Sequence, residues 1–198
     1  MNSPFKNFEM VMGPLKSSGP VPIAVATLKK KKIPDPLIEH WLNVGWGGCS
    51  DGFFWLTDPD QFSSLFGNGS LILPNVNQDD PPVVFARTGI GDLFLWLDSN
   101  VYYLNTYWNY LAKITPSITV FLEQTLCDEN FRVQVLREKI FRAAQPRLGI
   151  PHIDECYAYV PHPAIGGDGS SDSLNRDKMY EYLVIVGCSC GPIRPYRG

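Results

Sequence analysis

The sequence holds no uninterrupted apolar run of the ~18 residues that a membrane-spanning helix needs. Ile23 to Leu28 is too short for the apolar heart of a secretion signal. Histidine is scarce, with 3 in 198 residues, and the five cysteines (49, 127, 156, 188 and 190) form no repeated Cys-x-x-Cys framework. A disulfide scaffold is thereby excluded, and an odd count suits a reducing compartment. Only 19% of residues are charged, but 13% are aromatic, which excludes an intrinsically disordered chain. No segment repeats at a fixed period. A soluble, cytoplasmic, globular protein is expected, as one domain or one domain with a small appendage.

The formal net charge of −3 hides an uneven distribution. Residues 1–32 carry six Lys against one Glu (+5), residues 33–131 twelve acids against Arg87 and Lys113 (−10), and residues 132–198 nine bases against seven acids (+2). A hundred-residue stretch at −10 repels a phosphate backbone, so direct nucleic-acid binding is not expected there. The same field attracts a basic protein and speeds its approach. The run Lys29 to Lys32 has no interleaved aromatics or arginines and reads as a solvated face.

Residues 1–34 are punctuated by Pro and Gly and read as a loose lead-in, with room for a short helix from Phe5 to Met12. Asp35 as N-cap, Pro36 behind it, an apolar face at Leu37, Ile38, Trp41 and Leu42, and Gly45 as stop predict a helix. A Gly-rich turn over 47–52 leads into a strand at Phe53 to Leu56, and Asp58-Pro59 opens a short helix ending at Gly67. Val83–Arg87, Asp92–Leu97 and Val101–Leu104 predict a β-meander joined by two tight turns. Helices follow from Thr115-Pro116 to Leu126 and from Glu129 to Ala144, with Pro146 and Gly149 as terminators. Cys156–Val160 reads as a strand and 161–173 as a Gly-rich loop. Leu174–Val186 has an ambiguous period and is read as a helix, with Cys188 and Cys190 in a frayed tail. The fold class is α+β: a curved, mostly antiparallel sheet with helices packed on one face and a smaller C-terminal portion.

Chemistry-bearing clusters are few. His152, Asp154, Glu155 and His162 lie within eleven residues beside Cys156, and ligand types of this kind serve a metal-dependent hydrolase, the alternative reading of the chain. Their spacing matches no ordinary zinc site, and they cross a turn and a strand. Cys49 with His40 offers a nucleophile and a base, although a buried structural Cys explains it as well. Gly89-Ile90-Gly91-Asp92 is too short for a dinucleotide fingerprint and is followed by a strand, so a turn accounts for it. Gly166-Gly167-Asp168-Gly169 lacks the Lys-Ser or Lys-Thr of a phosphate loop.

Three blocks in order, IPDPLIEHWLNVGWGGCSDGFFWLTDPDQF (33–62), PVVFARTGIGDLFLW (82–96) and RLGIPHIDECYAYVPHPAIGG (147–167), carry a family likeness. The chain resembles the GAD-like immunity proteins found beside DNase effectors of bacterial type VI secretion systems. The resemblance implies a GAD-like domain over 1–127 with a small C-terminal module over 128–198. It also implies a non-enzymatic protein without cofactor that binds a nuclease toxin and blocks its active or DNA-binding site. The acidic middle segment fits that role independently. Acidic and aromatic side chains near turns are the expected toxin contacts: Asp51, Phe53, Asp58, Asp60, Asp79, Asp80, Asp92, Asp98 and Tyr102.

Overall fold

The structure, a computed structural model, describes residues 3–17, 21, 25–67, 69–74, 76 and 81–196. Eight strands form one open sheet: β1 (Lys16–Ser17), β2 (Gly47–Cys49), β3 (Phe54–Leu56), β4 (Val83–Thr88), β5 (Leu93–Leu97), β6 (Asn100–Asn105), β7 (Tyr110–Thr115) and, at the far edge, β10 (Arg194–Pro195). Neighbours run antiparallel throughout except β10, which lies parallel to β7. A separate pair, β8 (Glu155–Tyr159) and β9 (Leu174–Lys178), is antiparallel. The α+β expectation and the meander are found, but helices pack on both faces of the sheet and not on one, because the C-terminal helix (Met179–Cys190) covers the second face. The strand at 110–115 was not foreseen, because only Leu111 of its six residues is buried and the alternation is weak.

The first core forms on one face of the sheet. Phe54, Phe85, Phe94, Val101 and Tyr103 meet helices α1 (Lys6–Met12), α2 (Val25–Lys30) and α3 (Asp35–Val44) through Phe8, Met12, Leu28, Leu37 and Trp41. They also meet Phe121, Leu122, Leu126 and Phe141 of the segment containing α4 (Ile118–Val120) and α5 (Glu138–Leu148). On the opposite face Val84, Leu93, Leu95 and Leu104 pack on Phe62, Leu65 and Phe66 and on Met179, Tyr182, Leu183 and Val186 of α6 (Met179–Cys190). Period-two alternation delivers residues to both layers. In β8, Tyr157 and Tyr159 enter the first core while Cys156 and Ala158 enter the second, so the small sheet joins the two. A bulge between Val84 and Ala86 resets the alternation, and Arg87 emerges beside Trp55 and Leu93.

Several local readings need correction. Asp35 does not cap α3; Pro34 holds that position, and Asp35 sits in the first turn, where its charge suits the helix dipole. Ser117, not Thr115, caps the helix after β7, its hydroxyl accepting from the Val120 N–H at 3.2 Å. The helix read over 129–144 breaks at Arg137, whose φ is 57°. Pro146 lies inside α5, and Gly149, with φ 71°, ends it. The ambiguous segment at 174 is a strand followed at once by a helix, and Cys188 and Cys190 belong to that helix, not to a frayed tail. Part of the Gly-rich stretch at 47–49 is strand β2. Of the helix expected after Asp58-Pro59, the structure keeps one turn at Ser63–Leu65.

The N-terminal helix is held from a distance. Glu123 Oε1 accepts from the backbone N–H groups of Asn7 and Phe8 at 3.0 and 3.1 Å, a cap supplied from across the chain. Against the rings of Phe5 and Phe8, at 5.1 and 6.0 Å, His40 is almost fully buried, and burial lowers its pKa, with Glu9 opposing at 3.8 Å. A histidine depressed in the folded state contributes stability that is complete above its unfolded pKa of about 6.5 and is lost as pH falls through that value toward the folded one. Urea midpoints are therefore expected to drop as pH is lowered from about 7.5 to about 5.5. His162, depressed by burial in the same direction, adds to the drop. Replacing His40 with Asn should flatten part of the slope; an unchanged slope would show that His40 is not proton-linked to folding.

Candidate functional site

Asp92 sits after the Gly89-Ile90-Gly91 turn, fully buried where the sheet meets the C-terminal residues. Its Oδ1 accepts from the Thr106 backbone N–H at 2.9 Å and from the Thr106 hydroxyl at 3.0 Å. Its Oδ2 accepts from the Tyr103 hydroxyl at 2.7 Å and from Arg137 Nη2 at 2.6 Å. The rest of the Arg137 guanidinium lies over the rings of Tyr107 and Tyr159, at 4.8 and 5.9 Å. Burial alone would lower the Arg137 pKa, but the charge of Asp92 overrides it and holds the side chain protonated. Tyr103 is pushed well up by burial and by the same carboxylate. A charge pair with every carboxylate lone-pair direction used is the arrangement a buried ion pair needs in order to persist. Its work is structural, and Asp92 offers nothing to a partner.

The other expected contacts scatter. Phe53 is fully buried against Phe141, with ring centroids 5.5 Å apart. Asp51 is exposed but lies between Lys16 at 3.6 Å and Arg142 at 3.9 Å. Tyr102 is half-buried against the second core. Asp79 and Asp80 lie outside the described residues. Asp58, Asp60 and Asp98 remain. Asp60 pairs with Lys31 at 2.6 Å, and Asp58 is half-buried, its pKa raised by that burial. Asp98 is exposed at the β5–β6 turn, where Asp98 and Ser99 both take positive φ (47° and 57°), as a tight hairpin requires. Lys31, Lys32, Asp98 and Ser99 rim an open groove of 610 Å³ with Trp96 in its wall. This groove is the candidate functional site, and its lining carries both signs of charge.

The lysine-rich lead-in folds back on the acids. Lys16, Lys29 and Lys31 pair with Asp51, Asp35 and Asp60, while Arg137 and Arg142 from the C-terminal portion pair with Asp92 and Asp51. These pairs take up four of the twelve acids of residues 33–131, Asp35, Asp51, Asp60 and Asp92, while Asp98 stays exposed.

The catalytic alternatives fail on geometry. His152 is exposed, Asp154 is clamped by Lys178, Glu155 accepts from the His152 backbone N–H and pairs with Arg176, and His162 is buried beside Cys190. Their donor atoms point into separate contacts, and among the described residues no three His, Cys, Asp or Glu side chains converge as metal ligands. Cys49 is buried, its thiol donates to the Phe54 carbonyl, and burial raises its pKa strongly, so it supplies no thiolate. Among the described residues no helix is long and apolar enough to cross a membrane. Sequence reasoning met Arg87 only as part of the block at 82–96 and missed Arg137 and Arg142, because nothing near them in the chain signals their distant partners.

Comparison with known proteins gives a consistent picture. Residues 5–106 match the family model described as GAD-like domain, and residues 117–188 match the model described as T6SS immunity protein Tdi1, C-terminal. Among solved structures, the crystal structure of Atu4351 from Agrobacterium tumefaciens is similar, with a TM-score of 0.77 at 17% identity, over 97% of this chain and 91% of that one. At that identity the likeness bears on the fold. No curated protein sequence matches the chain.

Proposed function

The chain belongs to the GAD-like domain family, and from that premise we propose that it is an immunity protein that neutralises a type VI secretion nuclease by stoichiometric binding. The observation that carries the reading is the match of residues 117–188 to a T6SS immunity protein. A protein that acts by occupying its partner has no need of convergent catalytic groups. It needs a stable scaffold presenting a surface large enough for tight association, of about 1,600 Å² in total. The two fused cores supply the scaffold. In this reading the groove around Asp98 and Lys31 contributes to the docking surface, and the bound protein covers the active or DNA-binding site of the nuclease.

Co-expression with the nuclease encoded beside it tests the reading. Growth of the producing cells and a 1:1 complex by size exclusion are expected; cell death despite soluble protein, with no complex, would overturn it. Electrostatics makes a separate prediction. Reversing Asp58, Asp60 and Asp98 to lysine should slow association about tenfold and flatten its salt dependence, with dissociation little changed. Equal association rates for wild type and variant would remove steering from the account while leaving binding itself intact.

A further inference from the structure

On the second face of the sheet, α6 with Phe62, Leu65, Phe66 and Leu71 packs on residues of β4 to β7, and neither Trp55 nor Arg87 belongs to that cluster. A cavity of 320 Å³ is walled by Trp46 and Trp55. Arg87 forms its inner side and is fully buried. Its acceptors are all carbonyls: Ile153 at 2.8 Å, Thr88 at 3.4 Å and His152 at 3.5 Å. Its Nε has no acceptor among the described residues, and its guanidinium carbon stands 4.6 Å from the centroid of the Trp55 ring. That ring is seated on Gly48, where a Cβ would approach it to 2.9 Å.

A buried guanidinium held only by neutral dipoles keeps an unbalanced charge. Burial pulls the Arg87 pKa to about 10, with nearby Cys156 and Asp154 opposing the shift. Asp58 lines the same cavity, and among the described residues no ion pair joins it to Arg87. Cation and carboxylate therefore share one cavity without direct contact. The volume is near the lower end of small-molecule sites, which run from about 300 to about 1,000 Å³, and is too small for a nucleotide.

We propose that this cavity binds a free apolar amino acid, its carboxylate toward Arg87, its ammonium toward Asp58 and its side chain against the apolar lining of Trp46, Leu56 and Ile153. The site shares Asp58 with the charges proposed to steer the toxin, and its test uses the chain without a toxin. The test is calorimetric titration of the full chain with L-phenylalanine, 2-phenylethylamine (no carboxylate) and 3-phenylpropionate (no amine). Phenylalanine should bind at least about tenfold more tightly than either analogue, because each lacks one charge-assisted contact. Gln61→Trp, which fills the half-buried rim, should abolish binding, and Asp58→Asn should weaken it about tenfold. No heat with phenylalanine up to about 10 mM, analogues that bind equally well, or binding retained by a folded Gln61→Trp variant would each overturn the proposal. The comparison of the three ligands uses the wild-type protein and stands even if a variant fails to fold.

Discussion

Replacing Arg137 with methionine is expected to lower the stability of the protein by about 3–5 kcal/mol, the cost of leaving one partner of a buried ion pair alone. Asp92 is fully buried, and the other groups it accepts from, Tyr103 and Thr106, are neutral and cannot balance its charge. Asp92→Asn should cost a comparable amount for the converse reason, since Arg137 would be left against tyrosine faces with no anion. The double variant should be more stable than the sum of the two single losses predicts, because it buries no unpaired charge. Urea denaturation of all four proteins gives the coupling directly. Additive losses would mean that the pair is not coupled and that the network is held by its neutral members.

The same pair explains a backbone feature that the sequence conceals. Residues 129–144 have the apolar spacing of one continuous helix, but Arg137 takes a left-handed conformation that costs a non-glycine residue roughly 1 kcal/mol or more. The bond to Asp92, 45 residues away, offsets that cost. Local pattern and tertiary contact compete here, and the contact wins.

What was legible in the chain was what local chemistry decides. The helix 35–44 announced itself through Asp35-Pro36 and Gly45, and the meander through alternation and two turn sequences. Strand β9 was hidden because four of its five residues, Asn175 to Lys178, are exposed, so no buried face marks it. The candidate contacts were misjudged for a related reason. Asp92 and Phe53 lie near turns and looked accessible, but Arg137 and Phe141 from much later in the chain cover them. Summing charge along the sequence cannot show where each cation goes. Lys16, Lys29 and Lys31 of the lead-in and Arg137 and Arg142 return to four of the twelve acids, Asp35, Asp51, Asp60 and Asp92.

The turn before Asp92 carries the second large effect. Gly89 donates its N–H to the Phe53 carbonyl and accepts from the Tyr157 N–H, both at 2.7 Å, so one residue ties β3 to β8 and the sheet to the C-terminal portion. A Cβ there would lie 2.4 Å from the Gly52 carbonyl oxygen and 2.4 Å from the Phe141 ring. The ring can shift at the expense of its stacking on Tyr157, centroids 4.6 Å apart, but the carbonyl belongs to the backbone of a turn and cannot. Gly89→Ala is therefore expected to cost about 3 kcal/mol, at the upper end for an overpacked site. Gly166→Ala, where a Cβ meets nothing within 4 Å and the backbone is left-handed (φ 99°, ψ 10°), should cost only the left-handed penalty of about 1 kcal/mol. Hydrogen exchange separates the outcomes further: in Gly89→Ala the amides of β8 should lose protection before those of β5 and β6, because the lost bond is the one that fastens β8 to the main sheet. Uniform loss of protection would show that the junction is not a separate cooperative step, and a Gly89→Ala variant as stable as Gly166→Ala would show that the turn yields where the structure says it cannot.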